Sequence, residues 1–295
     1  MKKKNSIINR LYFIMFLSLI PELLFGLYKN GYQLYKKDLI SFVEMSKPLL
    51  FVMMSIAGGF LGSYIRERKN KIKDIIEILN NNKIILLECM ILSFIMPINS
   101  SPIILFFATA VMGLFFRKVS INRIALFYLG INLFNKVAGL NSFLNLYEYT
   151  TALNYNILDL FIGFSNGGIC STSILFILIA LILFSFNKLY KKDLAYASII
   201  TYTILTVVYG AITKNYTVIL PILLGYNTMF IFVYVAPNLY STSYTESGQI
   251  LSGILLGIIT FVLRHFIPYT APMVGVLIIS LSRKLFDKKF SLKKM

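Results

Sequence analysis

The residues able to do chemistry in this chain are few, and they stand out because they interrupt long apolar runs. Glu88 lies within Leu86-Leu87-Glu88-Cys89-Met90. A carboxyl in such a run is costly to ionise, so it serves either as a site for a proton or coupling cation or as an interior group hydrogen-bonded to a neighbouring helix. Two segments, Ile95-Met96-Pro97-Ile98-Asn99 and Val235-Ala236-Pro237-Asn238, each place an Asn shortly after a Pro. Proline removes a helix donor and frees a carbonyl, so each break either exposes backbone oxygen to an ion or simply ends its helix at an interface. Glu88, Pro97, Asn99, Pro237 and Asn238 are therefore the candidate ion-coupling residues. A third tract, Gly163-Phe164-Ser165-Asn166-Gly167-Gly168-Ile169-Cys170-Ser171-Thr172-Ser173, combines glycines that admit a ligand close to the backbone with hydroxyls suited to capping a following helix. The exposed N–H groups of a helix N-terminus favour an anion such as phosphate, although a plain capped loop accounts for the same residues.

Other reactive types point away from common chemistries. Cys89 and Cys170 lie in apolar segments without a CxxC or Cys/His spacing, and His265 is the sole histidine, so neither a disulfide framework nor a metal site is expected. No catalytic nucleophile or acid–base pair is assigned. Lys136 and Arg264 fall near helix ends, where long cationic side chains reach the interface, and Asp159 falls in the connector beside Gly163. The net charge of +17 would suit a nucleic-acid partner in a soluble protein. Here the Lys and Arg form short blocks between apolar segments, which orient a membrane protein, and no nucleic acid is expected.

The elements that must position these residues are membrane helices. With 57% hydrophobic and 14% charged residues and a mean hydropathy of +0.75, the chain has the composition of an all-α integral membrane protein. Backbone polar groups in lipid have to be satisfied internally, and helices do this over runs of the observed length. About ten spans are expected, near 11–28, 48–65, 83–97, 102–116, 123–141, 170–187, 195–212, 217–236, 249–266 and 270–284. The opening Met1-Lys2-Lys3-Lys4 and its apolar run read as a retained first helix, because Phe25-Gly26-Leu27 is a poor cleavage site. With ten spans the densest basic blocks share one side, which places both termini in the cytoplasm and the protein in the cell membrane. Five spans before residue 145 and five after residue 169 enter with opposite orientation, the arithmetic of two inverted repeats with broken helices. The expected organisation is a first repeat over 1–144, an extracytoplasmic or re-entrant connector over 145–169, a second repeat over 170–286 and a basic cytoplasmic tail over 287–295.

Leu17 to Pro21, Pro97 with Pro102, Asn132 to Ala138, Gly167 to Ser173 and Gly248 to Gly257, read in this order, together resemble the RnfD/NqrB family of membrane proteins, components of the Rnf electron-transport complex and of the sodium-pumping NADH:quinone oxidoreductase. The resemblance begins at Leu17-Ser18-Leu19-Ile20-Pro21 with Gly26 and Gly31, and continues through Pro97 and Pro102. Asn132-Leu133-Phe134-Asn135-Lys136-Val137-Ala138 is similar to the family's Asn-x-Phe-Asn-Pro-Ala, and Gly167 to Ser173 to its Gly-x-Ile-Gly-Glu-Thr-Ser, with Ser171 in place of the Glu. The end matches best: Gly248-Gln249-Ile250-Leu251-Ser252-Gly253, Gly257, Arg264, Tyr269 and Leu285-Phe286-Asp287 fall at family-like spacing.

The resemblance implies a membrane component of an ion-translocating oxidoreductase complex that passes electrons through flavin and couples this to Na⁺ or H⁺ movement. In that family FMN is joined through its phosphate to a threonine in an Asp-x-x-Ser-Gly-Ala-Thr-Pro-Leu type motif. The matching tract, Asn145 to Leu153, places Thr151 on the acceptor, with Glu148-Tyr149 for Ser-Gly and Ala152 for Pro. Gly167, Gly168, Thr172 and Ser173 are then the residues expected to touch the flavin, whether FMN or riboflavin. Other membrane and flavoprotein subunits are the implied partners, along with the lipid bilayer. Two further readings stay open: a small-solute channel on the similar urea-channel fold, or a scaffold subunit without flavin.

Overall fold

The computed structural model describes residues 2–69, 72, 74–115, 119–137 and 156–290, and among these every regular element is helical. The first half contains α1 (Lys2–Leu27), a π-helical turn at Tyr28–Tyr32, α2 (Gln33–Lys36), α3 (Phe42–Met45), α4 (Lys47–Lys69), α5 (Ile75–Ile95), α6 (Pro102–Phe115) and α7 (Arg123–Val137). The second contains α8 (Ile157–Ile162), α9 (Ile174–Ser185), α10 (Lys192–Ile212), α11 (Ile219–Leu224), α12 (Thr228–Phe230), a second π-helical turn at Ile231–Val235, α13 (Glu246–Arg264) and α14 (Ala271–Phe290).

Local sequence sets the helix starts. Ser41 and Glu44 form a reciprocal capping box at α3, Asp74 accepts from the Ile76 N–H at α5, and Thr245 accepts from the Gly248 N–H at α13. Asn122 does the same for α7 by accepting from the Ala125 N–H at 3.1 Å. Five helices are long and apolar enough to cross a membrane: Ile8–Lys36, Lys47–Lys69, Ile75–Ile95, Lys192–Ile212 and Glu246–Arg264. Pro102–Phe115 and Ile174–Ser185 are apolar but shorter. The protein is thus a multi-pass membrane protein, helical in all the regular elements of its described residues.

In the second half, two expected spans differ from expectation for a physical reason. The sixth starts at Ile174 and not at residue 170, because Gly163 to Ser173 is irregular and held by side chains from elsewhere. The eighth, expected as one helix over 217–236, breaks at Gly225-Tyr226-Asn227, where Tyr226 and Asn227 adopt left-handed backbone at φ 59° and 61°. Two consecutive non-glycine residues in that region end an α-helix and require tertiary support.

Close packing comes from small residues. The most extensive pairings are α4 along α6 and α10 along α13. Gly58 and Gly62 bring α4 against the Phe106 and Ala110 carbonyls, and Gly253 and Gly257 bring α13 against Leu194 to Thr201. At the centre α5 and the α12–π segment run antiparallel: Asn227 touches the Ile95 carbonyl, Phe94 stacks on Phe230 at 6.3 Å, and Asn238 reaches Glu88. Around this pair α1 packs on α9, and α7 packs on α14.

Candidate functional site

The irregular connector between α8 and α9 is buried, which is unusual for a segment whose backbone lacks helical hydrogen bonds. Ser165, Ile169, Cys170, Ser171, Thr172 and Ser173 are all buried. Side chains from two helical elements take the place of the missing backbone partners. Lys29, in the first π turn and 1% exposed, donates to the Gly163 carbonyl at 3.0 Å, to the Ser165 carbonyl and to Thr172 Oγ1 at 3.1 Å. Its neighbour Asn30 donates to the Ile169 carbonyl at 2.7 Å. Asn227 accepts from the Gly168 N–H and from Ser171 Oγ, while its amide donates to the Ile95 carbonyl at 3.3 Å. The connector also pairs with the end of α5 through Ile169 N–H to Met96 O and Cys170 N–H to Phe94 O, both 3.0 Å. Gly163 has φ 121°, accessible in practice to glycine alone, and that turn presents its carbonyl to Lys29.

The four connector residues expected to touch a flavin are therefore brought together, and each faces protein. A side-chain atom at Gly168 would lie 2.5 Å from the Phe94 carbonyl, and one at Gly167 would lie 2.4 Å from Asn227 Oδ1. Thr172 accepts from Lys29, and Ser173 begins α9 without a side-chain capping bond. As arranged, these four do not form an open cradle for an isoalloxazine ring. Thr151 lies outside the described residues, as do residues 138–155 around it.

A different polar group is left open. Asn132 and Asn135, on the face of α7 that carries Tyr128, are buried, and neither amide has a hydrogen-bond partner among the described residues. Buried amides without partners are rare, and a pair of them one helical turn apart suits a ligand rich in carbonyl and N–H groups. In sequence this helix precedes the tract Asn145 to Leu153 that carries Thr151.

The ion-coupling candidates split into two places. Glu88 makes a buried ion pair with Arg123: Nε to Oε2 and Nη2 to Oε1 are each 2.7 Å, with both side chains 4% exposed. Asn238 Nδ2 donates to Glu88 Oε1 at 2.9 Å, and Asn122 Nδ2 donates to the Val235 carbonyl at 2.9 Å. Glu88, Asn238 and the break at Pro237 thus form one cluster. Pro97 and Asn99 lie at the other end of the antiparallel pair, beside the connector, with the Pro97 carbonyl accepting from the Ser100 N–H. Lys136 and Asp159 are exposed, while Arg264 stacks over Tyr226 at 4.9 Å and donates to Tyr202 and to the Ile222 carbonyl.

Beyond Pro237 the chain is tied down near the end of α14. Asp287 accepts from Ser243 Oγ at 2.6 Å and from the Tyr244 N–H at 2.9 Å, and pairs with Arg283 at 3.4 Å. Partial burial alone would raise this carboxyl, but the hydrogen bonds and Arg283 outweigh it and hold it below the usual range. Lys191 donates to the Thr242 carbonyl at 2.6 Å and stacks on the same Tyr244 ring as Arg283.

Sequence reasoning places Arg123 in a cytoplasmic basic block and Lys29 on the outer side, and so finds neither as a buried partner. It also passes over Glu22, although a carboxylate inside an apolar run is the available signal.

A model of the NQR2, RnfD, RnfE family matches residues 131–295. The chain belongs to this family. No curated protein matches it. Members of the family are membrane subunits of multi-subunit Rnf- and Nqr-type complexes. The matched region begins at α7 and takes in Asn132, Asn135, the connector, both Pro237 and Asn238, and the Asp287 cluster.

Proposed function

We propose that this protein carries electrons through flavin within an Rnf/Nqr-type complex and couples that transfer to Na⁺ or H⁺ movement across the cell membrane, with both termini cytoplasmic. The observation that carries the reading is the pair of orphaned buried amides, Asn132 and Asn135, on the helix that precedes Thr151 and at the start of the family match. They suit hydrogen bonding to a flavin, with FMN attached at Thr151 or held noncovalently. Flavin would supply the one- and two-electron redox chemistry. The chain's own part is to hold the ring through these amides and to keep the connector rigid through Lys29, Asn30 and Asn227.

Support for a two-repeat, ten-span arrangement comes from the antiparallel pairing of α5 with the α12–π segment and from glycine-packed helix pairs on both sides, α4 with α6 and α10 with α13. On this arrangement the breaks at Pro97 and Pro237 lie at opposite ends of the central antiparallel pair. Glu88 and Asn238 sit by one of them, and the connector sits by the other.

The test is intact mass and in-gel fluorescence of the protein expressed with a flavin transferase and with its native partner subunits. An FMN-sized increment that Thr151→Ala abolishes, or a noncovalent flavin that Asn132→Leu/Asn135→Leu releases, is the expected result. Protein free of flavin in the native complex would overturn the reading and leave a scaffold role.

A further inference from the structure

Glu22 is fully buried, and neither of its carboxyl oxygens has a hydrogen-bond partner among the described residues. It follows Pro21 in α1 and faces the N-terminus of α9 at the Ser173 N–H, where Ser173 supplies no side-chain cap. An ionised carboxylate without partners inside a protein is strongly unfavourable, so this arrangement suits a group that holds a proton. The nearby helix N-terminus offers the ionised form a second favourable environment, since N–H groups and the helix dipole attract negative charge.

Both π-helical turns deliver a polar group to the same place. The first carries Lys29, whose ammonium, like the carboxyl of Glu22, lies near the Cys170 thiol. The second carries Tyr234, whose hydroxyl donates to Ser18 Oγ at 3.0 Å, and Ser18 lies one turn before Glu22 on the same face of α1. A π turn inserts one residue into a helix and redirects the side chains that follow, and such turns concentrate at functional sites. Ser18 in turn lines a groove of about 540 Å³ between α1 and α9 that extends to Arg10, which gives the cluster an edge.

From this juxtaposition we propose that Glu22 is a proton-binding site inside the membrane, taking up and releasing H⁺ between the Ser173 end of α9 and the Ser18–Tyr234 hydroxyl pair. The step is an acid dissociation: the O–H bond of the carboxyl breaks, the electron pair stays on oxygen, and the proton leaves through the hydroxyls. The surroundings select a proton over a metal cation. Sodium needs several oxygen acceptors, whereas Glu22 is faced by an N–H, a thiol and a phenol hydroxyl.

The charged and titratable groups around it are few. Cys170 and Tyr234 face it, Lys29 lies near Cys170, and α9 has no ionisable residue over Ile174–Ser185. Residues 48–63 of α4 have none. On α5, Glu88 lies by Tyr12, about 15 Å along α1 at 1.5 Å per residue. The proposal deepens the ion-coupling reading above by naming H⁺ and its residue, but proton binding stands without electron transfer.

The experiment is pH-difference infrared spectroscopy of the protein in lipid nanodiscs. Expected is a protonated-carboxyl band at neutral pH that disappears as the pH rises, that is absent from Glu22→Gln, and that is unchanged when Na⁺ replaces K⁺. No Glu22-dependent band at any pH overturns the proposal, and so does a band lost on adding Na⁺ at constant pH. Tyr234→Phe, which keeps the ring and removes the hydroxyl, is the second variant. It moves the midpoint of the band by about tenfold in proton concentration, and a midpoint that stays put overturns the proposal even if Glu22→Gln fails to fold. Because no turnover is needed, loss of the flavin reading leaves this result intact, and the reverse also holds.

Discussion

Replacing Arg123 with Met separates a locked ion pair from a mobile ion site at Glu88. In the structure the carboxylate receives two 2.7 Å contacts from Arg123 and one hydrogen bond from Asn238, with both charged side chains 4% exposed. Removing one partner of such a pair leaves an uncompensated buried charge, which costs about 3–5 kcal/mol. At 1.4 kcal/mol per decade this is roughly a 10²- to 10⁴-fold change in the unfolding constant. Glu88→Leu alone strands Arg123 with a similar loss. The double variant Glu88→Leu/Arg123→Met replaces the pair with apolar groups of comparable volume and should lie within about 1 kcal/mol of the parent, or above it. Equilibrium unfolding in mixed micelles of rising dodecyl sulfate content, followed by circular dichroism, gives all four corners of the cycle. The coupling energy should then approach the sum of the two single losses. If Arg123→Met costs less than about 1 kcal/mol, or if the two losses add, the pair does not hold α5 to α7. Glu88 would then be available as an ion-coupling group.

Three further outcomes follow from the same contacts. Lys29→Met leaves the Gly163 and Ser165 carbonyls and the Thr172 hydroxyl without their donor, at a cost of about 3 kcal/mol or more. Limited proteolysis in nanodiscs should then cut within 163–173, and protection equal to the parent would contradict the clasp. Asn227→Ala removes both the acceptor for Gly168 and Ser171 and the donor to Ile95, while Asn227→Gly restores only backbone freedom. Both should melt well below the parent, with the Gly variant recovering about 1 kcal/mol, and equal melting of the two variants would show that backbone strain is not a factor. Asp287 is held below the ordinary carboxylate value of about 4, so its stabilisation is present above that value and is lost as the pH falls through its lower folded value. The melting difference between the parent and Asp287→Asn should therefore be full at neutral pH and close only as the pH falls below the ordinary carboxylate value. A gap that persists in acid would locate the effect in packing and not in charge.

How far these contacts are legible depends on how far apart their partners lie in sequence. Helix type, the basic blocks and the family-like C-terminal half follow from local patterns, and the capping residues mark their own helices. Glu88 and Asn238 each stand out alone, as a buried carboxyl and as the residue after a proline. They are 150 residues apart, and neither pattern says that they touch. Periodicity stops the first span at residue 28 and so leaves Lys29 in water. The helix instead passes through a π turn to Lys36, and the extra residue turns Lys29 inward. Hydrophobic periodicity assumes a constant angle per residue, so it fails at such an insertion. The break at Gly225-Tyr226-Asn227 escapes for a related reason, since its neighbours are apolar on both sides and only the Gly-x-Asn turn chemistry signals it.

These misses share a cause that bears on function. Each falls where irregular backbone enters the protein interior and its polar groups are satisfied by a side chain from a distant helix: Lys29 and Asn30 on the connector, Asn227 between the connector and α5, Asn122 on the end of the second π turn. A membrane protein with no use for irregular backbone could satisfy the same groups within continuous helices at lower cost. Retaining four cross-helix supports to keep such backbone in place therefore marks the surrounding centre, with Glu22 and its unpartnered carboxyl at its edge, as the part of the fold in which the proposed flavin and proton chemistry is to be tested first.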